Sequence, residues 1–289
     1  MKAFTVRCRS LLLAVLLASS VSACESDHTA GSRAKILSSH GPRVAEIVVD
    51  DLVRHRKGLR AGAKRIWAGF VKVEGEKQEQ GMRQAMKVLR SPKRGVRELV
   101  ISPMSFLAAV NTDGVVIARN AEPDRMKGMN LAKLFPVVQG ALDGEGGYQI
   151  GEFKSLEKGG DPSVTVLMAE PVKFEERVVG ALVLGIPLWR LQQRLSKQLQ
   201  MEAAGQEKGA VIWVYIYRGD ELHHHGTPRD LNQIVPDAAT RKAGFARSPG
   251  GFTGSAVQFS FWYAYGVRPL RVLGDDIGAI IFRMDPSSS

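Results

Sequence analysis

The chain has 289 residues, 44 % hydrophobic and 24 % charged, a globular composition with room for two domains of ordinary size. Its net charge of +11 is uneven: residues 1–24 carry three basic and no acidic groups, residues 25–100 carry 17 basic and nine acidic, and residues 101–289 carry 20 of each. The two cysteines, Cys8 and Cys24, are too few for a disulfide framework.

Lys2, Arg7 and Arg9 give a basic start, Leu11 to Ala18 an apolar run, and small residues lead to Cys24. That order is an export signal, too short to span a bilayer. Val178 to Leu188 is the best rival as a span, but it is short and holds Gly180, Gly185 and Pro187. Val21-Ser22-Ala23-Cys24 resembles the lipobox of bacterial lipoproteins. The resemblance implies a signal peptide over 1–23 and lipid on Cys24, with acyl chains tying the chain to a membrane. The alternative is an ordinary signal with a chance cysteine. Cys8 leaves with the signal, so the mature chain of about 265 residues keeps no free thiol. The expected location is the periplasmic side of the cell envelope. Glu25 is not the aspartate linked to inner-membrane retention in well-studied enterobacterial lipoproteins, which favours the outer membrane.

Glu25 to Gly41 is polar and rich in Ser, Gly and Ala, which predicts a flexible tether over 24–41. Pro42 suits the first turn of a helix. Val44, Ile47 and Val48, then Leu59, Ala63, Ile66, Trp67 and Phe70, then Met82, Ala85, Met86 and Leu89, recur at helical steps. This predicts one long helix, or two in line, over 42–92, stopped at Pro92. Its basic excess reads as a solvated face, or as a surface for anionic head groups worth about 1 kcal/mol per Lys or Arg.

The period then shortens. Phe106 to Arg119 reads as strand, Asp113-Gly114 turn, strand. Met129 to Leu142 is helical with a break at Pro136. Strands follow from Tyr148, Val164 and Arg177, closing a first unit over 93–188. A linking helix occupies 189–209, with Trp189, Leu191, Leu195 and Leu199 on its apolar positions. A second unit over 210–286 repeats the order. Asn130 to Pro136 matches Asp230 to Pro236, and Gly146-Gly147-Tyr148 matches Gly250-Gly251-Phe252. Pro171 precedes Gly180 by nine residues, as Pro269 precedes Gly278. Order and spacing kept together indicate an internal repeat. The predicted class is α+β: a long helix, then two antiparallel-sheet units with helix on one side.

The long helix, the strand–Asp-Gly–strand, Gly128-Met129-Asn130-Leu131, and three strands ending in Val178 to Gly185 resemble a Cache domain, the extracytoplasmic relative of PAS domains. The likeness is good over residues 43–187 and looser over 210–286, implying a double Cache arrangement. It implies a sensor module with a cavity between sheet and helix. The ligands it implies are organic acids, amino acids or amines, and the partner a membrane-bound signalling receptor. No effector domain of its own is expected. The alternative is an envelope lipoprotein that only makes protein contacts.

Arg119, on the second strand, could hold a carboxylate in bidentate fashion. Tyr148 opens a strand flanking the expected cavity. Glu170 shares a strand face with Met168. Tyr217 shares a face with Tyr215, and Tyr263 with Tyr265. With both faces turned inward they would form an aromatic cavity for a cation or a flat ligand; the alternative is a tyrosine-rich sheet surface. His223 and His225 alternate with His224, but two histidines need further metal ligands, and no zinc-type spacing supplies them. No nucleophile elbow, phosphate loop or zincin motif is present, so neither enzyme activity nor a cofactor is expected. Nucleic acid is not an expected partner.

Overall fold

The computed structural model describes residues 27–154, 163–207 and 209–285. The signal peptide, Cys24 and the first residues of the expected tether lie outside them. Helix starts at once. α1 (Asp27–Lys35), a π-helical turn (Ile36–His40) and α2 (Gly41–Val71) follow without interruption. The expected tether is therefore corrected: its residues from Asp27 onward are helical. The reason is tertiary. Ser32 donates to Asp285, Thr29 meets Ser255 at 2.6 Å, and Ile36 is 2 % exposed. A weakly helical sequence becomes helix where distant partners hold it.

α2 buries Val44, Ile47, Val48, Leu52, Leu59, Ala63 and Ile66 at steps of three and four, as read. The chain turns at Lys72–Glu74 and resumes as α3 (Gly75–Leu89). The two helices are not in line. Gln78 donates to the Gly69 carbonyl at 3.3 Å, and Leu89 packs against Gly62, so α3 folds back antiparallel on α2. The amphipathic period survives such a turn, so it does not reveal one. Gly62 permits the approach: a Cβ there would lie 3.1–3.2 Å from Leu182, Leu99 and Leu89. α4 (Arg97–Val100) leads into the first sheet.

That unit contains β1 (Phe106–Val110), β2 (Val116–Arg119), α5 (Leu131–Leu134), α6 (Pro136–Leu142), β3 (Gly147–Phe153), β4 (Ser163–Phe174) and β5 (Arg177–Pro187). Asn130 caps α5 by accepting from the Lys133 amide at 2.9 Å. α7 (Leu188–Gln206) links to β6 (Val211–Arg218), β7 (Glu221–His223), a 3₁₀ turn (Arg229–Ile234), α8 (Ala238–Arg247), β8 (Phe252–Gln258), β9 (Phe261–Pro269) and β10 (Ile277–Met284). The sheets run β2-β1-β5-β4-β3 and β7-β6-β10-β9-β8, all antiparallel. The second order is the first shifted by five strands, so the repeat read in the sequence is a repeat of topology.

Each sheet has two covered faces. The faces toward α2 and α7 share one core, from Leu107 and Val166 through Leu59 to Ile212 and Ile281. The outer face of the first sheet packs Phe106, Leu131, Phe135 and Val138 under α5 and α6. The outer face of the second packs Tyr215, Leu231, Tyr263 and Phe282 under the 3₁₀ turn and α8. Among the described residues no helix is long and apolar enough to cross a membrane.

Candidate functional site

On the outer faces of both sheets, the second being where the expected aromatic cavity would lie, aromatic side chains pack against one another. In the first unit Phe153 meets Phe106 at 5.5 Å and Phe135 at 4.8 Å. In the second, Tyr215 meets Phe282 at 5.7 Å and Trp213 meets Tyr263 at 6.2 Å. The Tyr217 ring lies across Gly278 of the neighbouring strand, and the Tyr265 ring across Gly254. Tyr217, Tyr263 and Tyr265 do face one common interior, but its cation is built in. Arg241 of α8, 4 % exposed, sits 4.3 Å from the centre of the Tyr217 ring. Its guanidinium donates to the carbonyls of Pro236 and Gly219. Burial pushes the Tyr217 hydroxyl up to about 12, with Arg241 opposing that rise. Burial raises Tyr215 and Tyr265 as well.

Arg119 is engaged locally. Its side chain donates to the Pro123 carbonyl at 2.6 Å and approaches Asp124 at 3.6 Å, while its amide donates to Asp124 at 2.8 Å. The histidines disperse. His223 lies 3.8 Å from Glu221, His224 packs on Tyr215 at 4.7 Å, and His225 packs on Trp189 at 5.4 Å. β7 ends at His223, so the alternation expected through His225 stops there. Among the described residues no group of three or more His, Cys, Asp and Glu side chains could hold a metal.

Tyr148 and Glu170 come together with residues that the sequence reading passed over. On β4, Glu170 shares the α2-facing side with Val166, Met168 and Val172, and is 2 % exposed. Buried carboxylates are retained where they are paired. Arg56 donates to Glu170 at 3.1–3.2 Å and to the Gly146 carbonyl at 2.8 Å. Arg60 donates to Glu170 at 3.2 Å. The two arginines stand one helical turn apart on α2, so both reach one carboxylate. Only glycine fits at 146: a Cβ there would sit 2.2 Å from the Glu170 carboxylate. Tyr148, on edge strand β3, donates its hydroxyl to the Val272 carbonyl at 3.0 Å. Val272 belongs to the second unit, so this bond crosses between the repeats.

These residues frame an open cleft of about 310 Å³, lined by Val49, Leu52, Val53, Arg56, Lys57, Arg60, Tyr148 and Val272. Its floor is aliphatic and its rim cationic. Arg56 and Arg60 share the buried Glu170 and Lys57 pairs with Glu98 at 3.9 Å, which leaves one positive charge in surplus. The signal missed in the sequence was the pair Arg56 and Arg60 at helical spacing. Their run looks like a solvated face until Glu170, more than 100 residues later, is placed beneath them.

No family model matches the chain, and no curated protein does. Solved structures do. The sensor domain of the V. cholerae histidine kinase DctB aligns with a TM-score of 0.51 at 14 % identity, covering 91 % of this chain and 100 % of that one. The ligand-binding domain of the Campylobacter jejuni chemoreceptor Tlp3, in complex with L-valine, aligns at 0.54 and 11 % identity, covering 89 % and 92 %. The extracellular domain of the putative histidine kinase vpHK1S-Z8 aligns at 0.52 and 12 %, covering 91 % and 93 %. At such identities the likeness establishes the architecture: a long helix carrying two PAS/Cache-like antiparallel units, the α+β fold of extracytoplasmic sensor domains.

Proposed function

We propose that the chain is a lipid-anchored, extracytoplasmic small-molecule-binding module that works as a sensor component. The observation that carries this reading is the cleft on α2, where Arg56, Lys57 and Arg60 rim an aliphatic floor beside Tyr148. Guanidinium groups at the edge of an apolar trough suit a carboxylate with a hydrocarbon part. An organic acid or amino acid fits the rim charge better than an amine. The fold is shared with a chemoreceptor domain solved with L-valine, which supports the class of ligand. Lys57, paired with Glu98 at 3.9 Å, and Arg60, paired with Glu170 at 3.2 Å, keep 78 % and 60 % of their side chains exposed at the rim.

The test is a thermal-shift screen of the mature protein against organic acids, amino acids and amines. Binding to the native state raises the melting temperature by mass action. Carboxylates are expected to raise it, and Arg60→Glu to abolish the shift. No shift with any carboxylate would sink the reading. The packed aromatic clusters on both outer faces favour a second reading, an envelope lipoprotein whose repeats serve protein contacts alone. That reading predicts a stable partner and no ligand shift.

A further inference from the structure

The tip of the β8–β9 hairpin is the most apolar projection of the second unit. Val257 is 46 % exposed, Phe259 68 % and Phe261 57 %. The register sets Val257 opposite Trp262 and Gln258 opposite Phe261, with Phe259 and Ser260 as the turn. Both turn residues have positive φ, 50° and 64°. That conformation favours glycine or asparagine and taxes a bulky aromatic. From Phe252 to Val267 the chain has no charged residue, although exposed β-ribbons are normally guarded by charge.

The N-terminal helix begins beside this hairpin and runs with its N-terminus toward the tip. Thr29 meets Ser255, Ile36 packs over Gly266, and Gly41 lies against Arg268. Along β9, which pairs Ala264 with Ser255, the helix thus moves away from the tip as it leaves the N-terminus. Followed backward, it heads for the tip. Three strand residues from Ser255 to Gln258 span about 10 Å. Five residues from Thr29 to Cys24 reach at most about 18 Å.

We propose that the hairpin tip, Val257 to Trp262, is a second membrane contact. It sets its aromatic side chains in the head-group region of the bilayer that holds the lipid on Cys24. This rests on the lipid-anchor reading above. Aromatic rings prefer that interface, and an uncharged turn enters it without burying charge. One lipidated residue holds the body at a point; a second contact fixes its tilt.

The experiment uses the mature lipidated protein in phosphatidylethanolamine–phosphatidylglycerol vesicles. Because Cys24 is blocked by lipid, Ser260→Cys supplies one reactive thiol for an environment-sensitive dye. Lys133→Cys, exposed on α5 of the first unit, is the reference. Co-flotation with vesicles establishes anchoring before any dye is read. The expected result is blue-shifted emission at position 260, quenched by brominated acyl chains, with neither effect at 133. Adding Phe259→Ser and Phe261→Ser removes the quenching at 260. A floating protein whose dye behaves alike at both positions overturns the hairpin contact and leaves the anchor standing. A dye shielded from water but untouched by brominated lipid means a protein covers the tip, and overturns it too. A protein that does not float overturns the anchor and this contact together.

Discussion

Asp51 and His55 stand where the buried stripe of α2 would take leucine. Asp51, 3 % exposed, is gripped by Arg194 through two hydrogen bonds, the longer 2.8 Å. His55, 2 % exposed, has a buried Nδ1 with no hydrogen-bond partner. Burial drives its pKa down to about 4; Asp51 opposes that fall, while Arg194 and Arg54 add to it. The folded protein therefore keeps His55 neutral where the unfolded chain, with the ordinary value of 6.5, binds a proton. Stability from this residue is full above pH 6.5 and is lost as pH falls toward 4. The loss on going below pH 4 amounts to about 3 kcal/mol. His40, lowered mainly by burial and then by Arg283, acts in the same direction. Urea midpoints between pH 7 and pH 4 should fall steeply in the parent protein and less steeply in His55→Met. Equal slopes would show that His55 carries no part of the acid sensitivity.

The helix before Pro42 depends on one cluster. Arg283, 2 % exposed, donates to Asp285, pairs with Glu207 and meets His40 Nε2 at 2.9 Å, while Ser32 donates to Asp285 and Lys35 pairs with Glu207 at 3.2 Å. Removing a buried partner strands the charges it held, at a cost of 3–5 kcal/mol when burial is complete. The carboxylates are partly exposed, so Arg283→Leu is expected to cost about 2–3 kcal/mol, below that range. Amide exchange of residues 27–40 should be slow in the parent and fast in Arg283→Leu. Fast exchange in both would restore the tether. Nothing local in Ser32, Ser38 and Ser39 announces this helix, because its partners lie more than 170 residues away. The strands were legible because period-two runs and the Asp113-Gly114 turn are local signals. Around the α2 cleft, alternation put Glu170 on a strand face with Met168, and Tyr148 was read as opening its strand. Arg56 and Arg60 needed the fold to bring helix and sheet together.

At the scale of the molecule, duplication did not produce two independent bodies. The inner faces of both sheets contribute to a single core through α2 and α7, with Leu52 and Leu59 among the shared side chains. Ion pairs also bridge the copies, as Arg218 reaches Glu152 at 3.3 Å. Exposed pairs of this kind add little stability, so the common core carries the coupling. Differential scanning calorimetry should show one cooperative transition with matching calorimetric and van't Hoff enthalpies. Two resolved transitions would mean that the repeats fold apart. The bond from the Tyr148 hydroxyl to the Val272 carbonyl acquires a further meaning here. It joins the two repeats at one wall of the cleft, opposite α2. On the proposed reading, a guest seated between α2 and this bond would touch both repeats at once, so occupancy would be felt by the pair and not by one half alone.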